Sequence, residues 1–128
     1  GRLMVDYERT LSDIRKSNEA IDELFLHFGE KYGLKTYGIR GDMWYPQIRS
    51  DTMQEYSRNK DHNYFAIWCS ATDSFFYSYR LGKSDAYKNR IWGDNQVKDL
   101  DKIIAGFVQR LKECKEQENL DKLEEDFK

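Results

Sequence analysis

The chain has 128 residues and a mass of 15.4 kDa, a length that suits one domain with one core. Hydrophobic residues make up 39% and charged residues 34%, with one proline and eight glycines, which excludes disordered and collagen-like chains. A net charge of −2 excludes any whole-molecule attraction to nucleic acid or to an anionic membrane surface.

Aromatic residues, at 15%, are the departure from ordinary composition and predict a core built on large rings. No stretch reaches the roughly 18 apolar residues that a membrane-spanning helix needs, so no membrane partner is expected. The two cysteines, Cys69 and Cys114, are too few for a disulfide framework and lack metal-ligand spacing, which predicts a cytoplasmic, reducing setting. Gly1-Arg2-Leu3 ahead of Met4 reads as a cloning remnant outside the fold.

Tyr7, Leu11, Ile14, Ile21, Leu24, Phe25, Phe28 and Tyr32 recur at helical spacing and predict one long helix over 6–32, ended by Gly33. Strand-like runs 35–40 and 43–49 flank Gly41-Asp42, the chemistry of a two-residue hairpin turn. That register places Ile39 opposite Trp44, with Tyr37, Ile39, Trp44, Pro46 and Ile48 on a core-like side. Polar residues follow, with a short helix expected around 52–58.

A second hairpin is predicted from 63–70 and 74–81. Pairing Ser70 with Phe75 gathers Tyr64, Ala66, Trp68, Phe75, Tyr77, Tyr79 and Leu81 on a buried face. Phe65, Ile67, Cys69, Phe76, Ser78 and Arg80 are left on the other. A fifth strand is expected at 87–92. Asp94 is the expected N-cap of a final helix whose apolar stripe runs from Leu100 to Leu111, secure to about Cys114. Leu120, Leu123 and Phe127 keep helical spacing in a highly charged tail, 115–128. The predicted fold class is α+β: a single domain with an antiparallel sheet of four to five strands made from two hairpins, packed on one face by long N- and C-terminal helices.

Charge is unevenly distributed. Residues 1–34 carry five basic and seven acidic side chains, 35–92 nine and six, and 93–128 seven and ten. Thirteen of the nineteen aromatics lie between Tyr37 and Trp92, so the basic segment is also the aromatic one. Strand propensity alone accounts for much of that coincidence. No GxGxxG, Walker, HExxH, EF-hand or CxxC motif occurs, and His27 and His62 lie in no nucleophile–base motif, so no cofactor, metal or catalytic residue is assigned and an enzyme is not the favoured reading.

The outer sheet face with its edges is the candidate binding surface: Arg40, Tyr45, Arg49, Phe65, Phe76 and Arg80 are expected to project from the face, and Arg90 and Trp92 to lie in loops near its ends. Rings and guanidinium groups are enriched at protein interfaces, which favours a regulatory or inhibitor-type module with a protein partner or a second copy of itself. The alternative is a nucleic-acid-binding domain that stacks single-stranded or flipped-out bases. The stretch from Gly38 to Gly82, with Trp44, Pro46, Tyr64 and Phe76 between its glycines, resembles the DNA-reading domains of McrB-type restriction systems in its spaced aromatics. That resemblance covers under half the chain and implies no residue roles.

Overall fold

The computed structural model describes residues 5–46, 63–82 and 86–127. The described elements run α1 (Leu11–Arg15), α2 (Asn18–Tyr32), β1 (Leu34–Tyr37), a 3-10 turn (Ile39–Gly41), β2 (Met43–Pro46), β3 (Tyr64–Ser70), β4 (Ser74–Arg80), β5 (Tyr87–Trp92) and α3 (Val97–Asp126). They form a mixed α+β structure whose antiparallel sheet has the strand order β1-β2-β3-β4-β5. The helix expected at 52–58, Arg49 and His62 lie outside the described residues.

The first helical stretch is two helices. Ser17 adopts extended backbone (φ −128°, ψ 123°), and its Oγ accepts a hydrogen bond from the Ala20 N–H at 3.2 Å, so it starts a new helix where the apolar spacing alone predicts continuity. Thr10 caps α1 in the same way, accepting from Asp13. Gly33 ends α2 with a left-handed φ of 64°, as the sequence suggests.

The first hairpin also departs from expectation. Strand β1 stops at Tyr37, the chain makes a 3-10 turn with Arg40 left-handed (φ 57°), and β2 pairs Thr36 with Trp44 and Tyr37 with Met43. Ile39 therefore leaves the sheet and is exposed rather than facing Trp44.

In the second hairpin the expected register is off by one. Ser70 pairs with Ser74 across the three-residue turn Ala71-Thr72-Asp73, with Asp73 left-handed at φ 54°. Because side chains alternate along a strand, the slip exchanges the two faces of β3. Phe65 and Ile67 now share a side with Phe75, Tyr77 and Tyr79, while Tyr64, Ala66 and Trp68 share the opposite side with Phe76, Ser78 and Arg80.

The helices cover the first of these sides. Trp44 stacks on Phe25 of α2 at 4.2 Å, and its indole N–H donates to the Phe25 carbonyl at 2.9 Å. Phe65 meets Trp44 at 5.6 Å and Phe107 of α3 at 5.7 Å. Leu24, Phe28, Ile67, Phe75, Leu100 and Ile104, each at most 1% exposed, lie at the centre of this core.

The N-termini of α1 and α3 satisfy each other. Leu11 and Ser12 donate their N–H groups to the carbonyls of Asn95 and Gly93, while Val97 and Lys98 donate theirs to Arg9 and Tyr7, all within 3.0 Å. These are first-turn donors with no partner inside their own helices. Asp94 is not the N-cap of α3. Gln96 holds that position, and its N–H donates to the Asp99 carboxylate at 2.8 Å.

A polar network closes the same end. Tyr7 Oη lies 2.6 Å from His27 Nε2, and Lys31 Nζ donates to Tyr7 Oη and to Asp101 Oδ2 at 3.3 and 2.9 Å. Tyr32 donates to Asp101 Oδ1 at 2.5 Å. Burial, with help from Asp101, pushes the Tyr32 phenol up to about 12.

Helix α3 is about 45 Å long at 1.5 Å per residue, and its last buried residue is Leu111. The exposed Leu120, Leu123 and Phe127 lie about half a turn around the helix from the Leu100–Leu111 stripe, at 3.6 residues per turn. They do not extend the stripe that docks on the sheet.

Three stability predictions follow from this packing. Trp44→Ala is expected to cost about 3–5 kcal/mol in urea unfolding, since it empties the centre of the aromatic core. Ending the chain after Lys115 is expected to cost less than about 0.5 kcal/mol, because the removed residues carry no buried contact.

The third concerns pH. Burial first, then the Lys31 charge, holds the His27 pKa below its ordinary 6.5, so the unfolded chain takes up a proton that the folded chain refuses. The His27 contribution is complete above pH 6.5 and declines as pH falls from there through its lowered value. In His27→Gln the urea midpoint should lose that part of its pH dependence; an unchanged profile would show that His27 is not its source.

Candidate functional site

The sheet side turned away from the helices carries its side chains in cross-strand rows set by the register. Ser70, Ser74 and Trp92 form one row; Trp68, Phe76 and Arg90 the next; Ala66, Ser78 and Lys88 a third. The small residues of these rows are buried: Ser74, Ser78 and Ala66 are at most 1% exposed. The large rings stand out from the surface, with Trp68 41% and Trp92 53% exposed.

The turn between β3 and β4 organises this cluster. Thr72 Oγ1 lies 2.6 Å from Ser70 Oγ and 3.3 Å from Ser74 Oγ, and it accepts a hydrogen bond from Arg90 Nη1 at 2.9 Å. That bond holds the guanidinium over the Trp92 ring, 5.4 Å from its centroid, in cation–π geometry. Phe76 stacks on Trp68 at 5.6 Å with 30° between the rings. Two exposed indoles, one further ring and a fixed cation therefore share one surface. The hydrogen bond and ring contact of Arg90 reduce the side-chain entropy it has left to lose when a partner binds.

The rim is acidic. Asp73 and Asp94 line an open hollow of about 340 Å³ together with Trp92 and Gly93. Asp73 pairs with Arg15 of α1 at 2.7 Å, and the Gly93 N–H donates to the Asp73 carbonyl at 2.8 Å. A Cβ at position 93 would sit within 2.7 Å of the Asp73 carboxylate, so a larger residue there would have to displace that side chain.

Of the residues expected at the site, Phe76, Arg90 and Trp92 come together on this face. Arg80 is on the same side, at the far end of β4, where its Nε donates to the Gly82 carbonyl at 3.0 Å. Phe65 does not belong to the surface: it is fully buried against the helices, a direct consequence of the one-residue slip. Arg40 lies in the 3-10 turn, with Nη1 3.7 Å from Asp22 of α2, and is not part of the cluster. Tyr45 occupies β2, with its side chain outside the described set, and Arg49 lies outside the described residues altogether.

Trp68 is the residue that sequence reasoning missed. The signal was present in the turn, since three residues between two strands pair position 70 with 74 and send Trp68 outward.

Among the described residues no group of three or more His, Cys, Asp or Glu side chains is placed to hold a metal ion, and no helix is long and apolar enough to cross a membrane. Cys69 and Cys114 are free thiols, and burial pushes the Cys69 thiol up from its ordinary value.

Tryptophan emission tests this arrangement. Trp68→Phe/Trp92→Phe should leave only Trp44, which is fully buried, and emission should shift to the blue and resist acrylamide. A remaining red-shifted, readily quenched component would place Trp44 in water and contradict the core described above. Comparison with protein-family models, curated proteins and solved structures finds no match for this chain.

Proposed function

We propose that this chain is a small non-enzymatic binding domain that engages a protein partner through the sheet face built by Trp68, Phe76, Arg90 and Trp92. The observation that carries the reading is the pair of half-exposed indoles standing beside a guanidinium held in place by Thr72. Trp and Arg are the residues on which interface energy concentrates, and a surface already fixed by its own hydrogen bonds suits them to that use.

A nucleic-acid partner is the weaker reading of the same face. Rings and an arginine can stack bases, but Asp94 edges the cluster and would repel a phosphate backbone, while Asp73 beside it is already paired with Arg15. The two free thiols suit a reducing compartment such as the cytoplasm.

The test compares the parent chain with Trp68→Ala and Trp92→Ala as baits in affinity capture, with thermal unfolding as a control. Each variant is expected to keep the fold and to lose about 2 kcal/mol of affinity for the captured protein. Equal retention by parent and both variants would remove this face as the binding surface. A titration with single-stranded oligonucleotides decides the other reading, since steeply salt-dependent binding lost in Arg90→Ala would favour nucleic acid over protein.

A further inference from the structure

Strand β5 closes one side of the sheet, and its backbone pairing can be read from one bond. Gly93 N–H donates to the Asp73 carbonyl, and Trp92 pairs with Ser74, so Asp73 and Gly93 form a hydrogen-bonded pair of the antiparallel ladder. Such pairs alternate along the strands. Ile91, Asn89 and Tyr87 therefore turn their N–H and C=O groups toward β4, while Lys88, Arg90 and Trp92 turn theirs outward.

Two of these outward groups are occupied within the chain. The Trp92 carbonyl accepts from the Asn95 backbone N–H at 3.0 Å. The Arg90 N–H donates to Oδ1 of the neighbouring Asn89 side chain at 2.8 Å, and Asn89 Nδ2 in turn donates to Tyr87 Oη at 3.1 Å. The Asn89 carboxamide thus stands where the carbonyl of a neighbouring strand would be. Among the described residues no partner meets the Lys88 N–H and C=O, the Arg90 C=O or the Trp92 N–H.

The charge beside this edge selects what can lie along it. Lys88 and Arg90 are exposed, two residues apart on one side of β5, and neither is in a salt bridge among the described residues. A strand added at the edge would bring its own side chains to roughly 5 Å from them. A second copy of β5 paired antiparallel about Asn89 would set Lys88 and Arg90 against the same two cations, an unfavourable pairing. An extended segment with carboxylates at alternate positions would match both charges and the backbone groups.

We propose that the outer edge of β5 accepts an extended acidic segment of a partner protein, which pairs as an added strand and displaces the Asn89 side chain from the Arg90 N–H. This rests on the protein-binding reading above and specifies the partner's chemistry: main-chain hydrogen bonds to the edge, carboxylates beside Lys88 and Arg90, and the strand's flank against Trp92.

The test uses the full chain labelled with ¹⁵N and two capped heptapeptides, Thr-Glu-Val-Glu-Val-Glu-Thr and Thr-Lys-Val-Lys-Val-Lys-Thr. The acidic peptide is expected to bind about fivefold or more tightly than the basic one and to slow amide exchange at Lys88, Arg90 and Trp92. Lys88→Glu/Arg90→Glu should reverse the preference. Lys88→Pro removes one outward N–H at an edge position that tolerates proline, and it should weaken binding while thermal unfolding stays within a few degrees of the parent. Asn89→Ala frees the Arg90 N–H and should tighten binding.

Equal binding of the two peptides, no binding of either, or binding without protection of the outward amides would overturn the proposal. Shifts confined to the Trp68 and Trp92 indoles would overturn the edge while leaving face docking intact. Concentration-dependent self-association of the free chain through the same amides would assign the edge to a second copy and also overturn it. The capture experiment with Trp68→Ala judges the face independently of every one of these outcomes.

Discussion

The three-residue turn Ala71-Thr72-Asp73 is the constraint on which the rest of this structure depends. With Asp73 in the left-handed region, Ser70 meets Ser74, and every side chain of β3 and β4 is assigned to a side. Phe65, Ile67, Phe75 and Tyr77 go to the helices and build the core, while Trp68 and Phe76 go outward and build the surface. The same turn supplies Thr72, which fixes Arg90, and Asp73, which binds Arg15 and accepts the Gly93 N–H. Fold and candidate site therefore share one origin in three residues.

What the sequence made legible follows from which physical signal each element carries. The α+β class, the Gly33 terminus and the Leu100–Leu111 stripe were readable because a helical period sustained over many residues outweighs local detail. The break at Ser17 was not, since a seven-residue gap from Ile14 to Ile21 fits one helix or two, and only the Ser17 side-chain bond to Ala20 decides between them. The first hairpin misled because Gly41-Asp42 satisfies the chemistry of a two-residue turn while Arg40 takes a left-handed conformation that no propensity foretells. In the second hairpin alternation gave two self-consistent answers one residue apart, both rich in rings. Loop length carried the deciding information. Phe76 survived the slip because β4 kept its faces, and the β4–β5 register brings Arg90 and Trp92 to the same side. Phe65 and Trp68 exchanged roles because β3 did not.

The surface that results is mixed in charge and fixed in geometry. Arg90 is held by a hydroxyl and a ring rather than by a carboxylate, so its full charge remains available to a partner while its position is set. Asp94 beside it opposes a polyanion, and Lys88 on the next row attracts an isolated carboxylate.

The mutual satisfaction of the first turns of α1 and α3 has a mechanical consequence. Residues 7–12 and 93–98 are sewn together by four crossed backbone bonds, so the early part of the chain cannot peel away without exposing amides at the root of the long helix. Loosening one strand of this clasp loosens the other, and the two regions must open together as a unit although more than eighty residues separate them in sequence. Beyond Leu111 that same helix runs on for about 22 Å with no buried side chain, so a load taken up at its tip falls first on the packing of Leu100–Leu111 against the sheet and only then on the clasp.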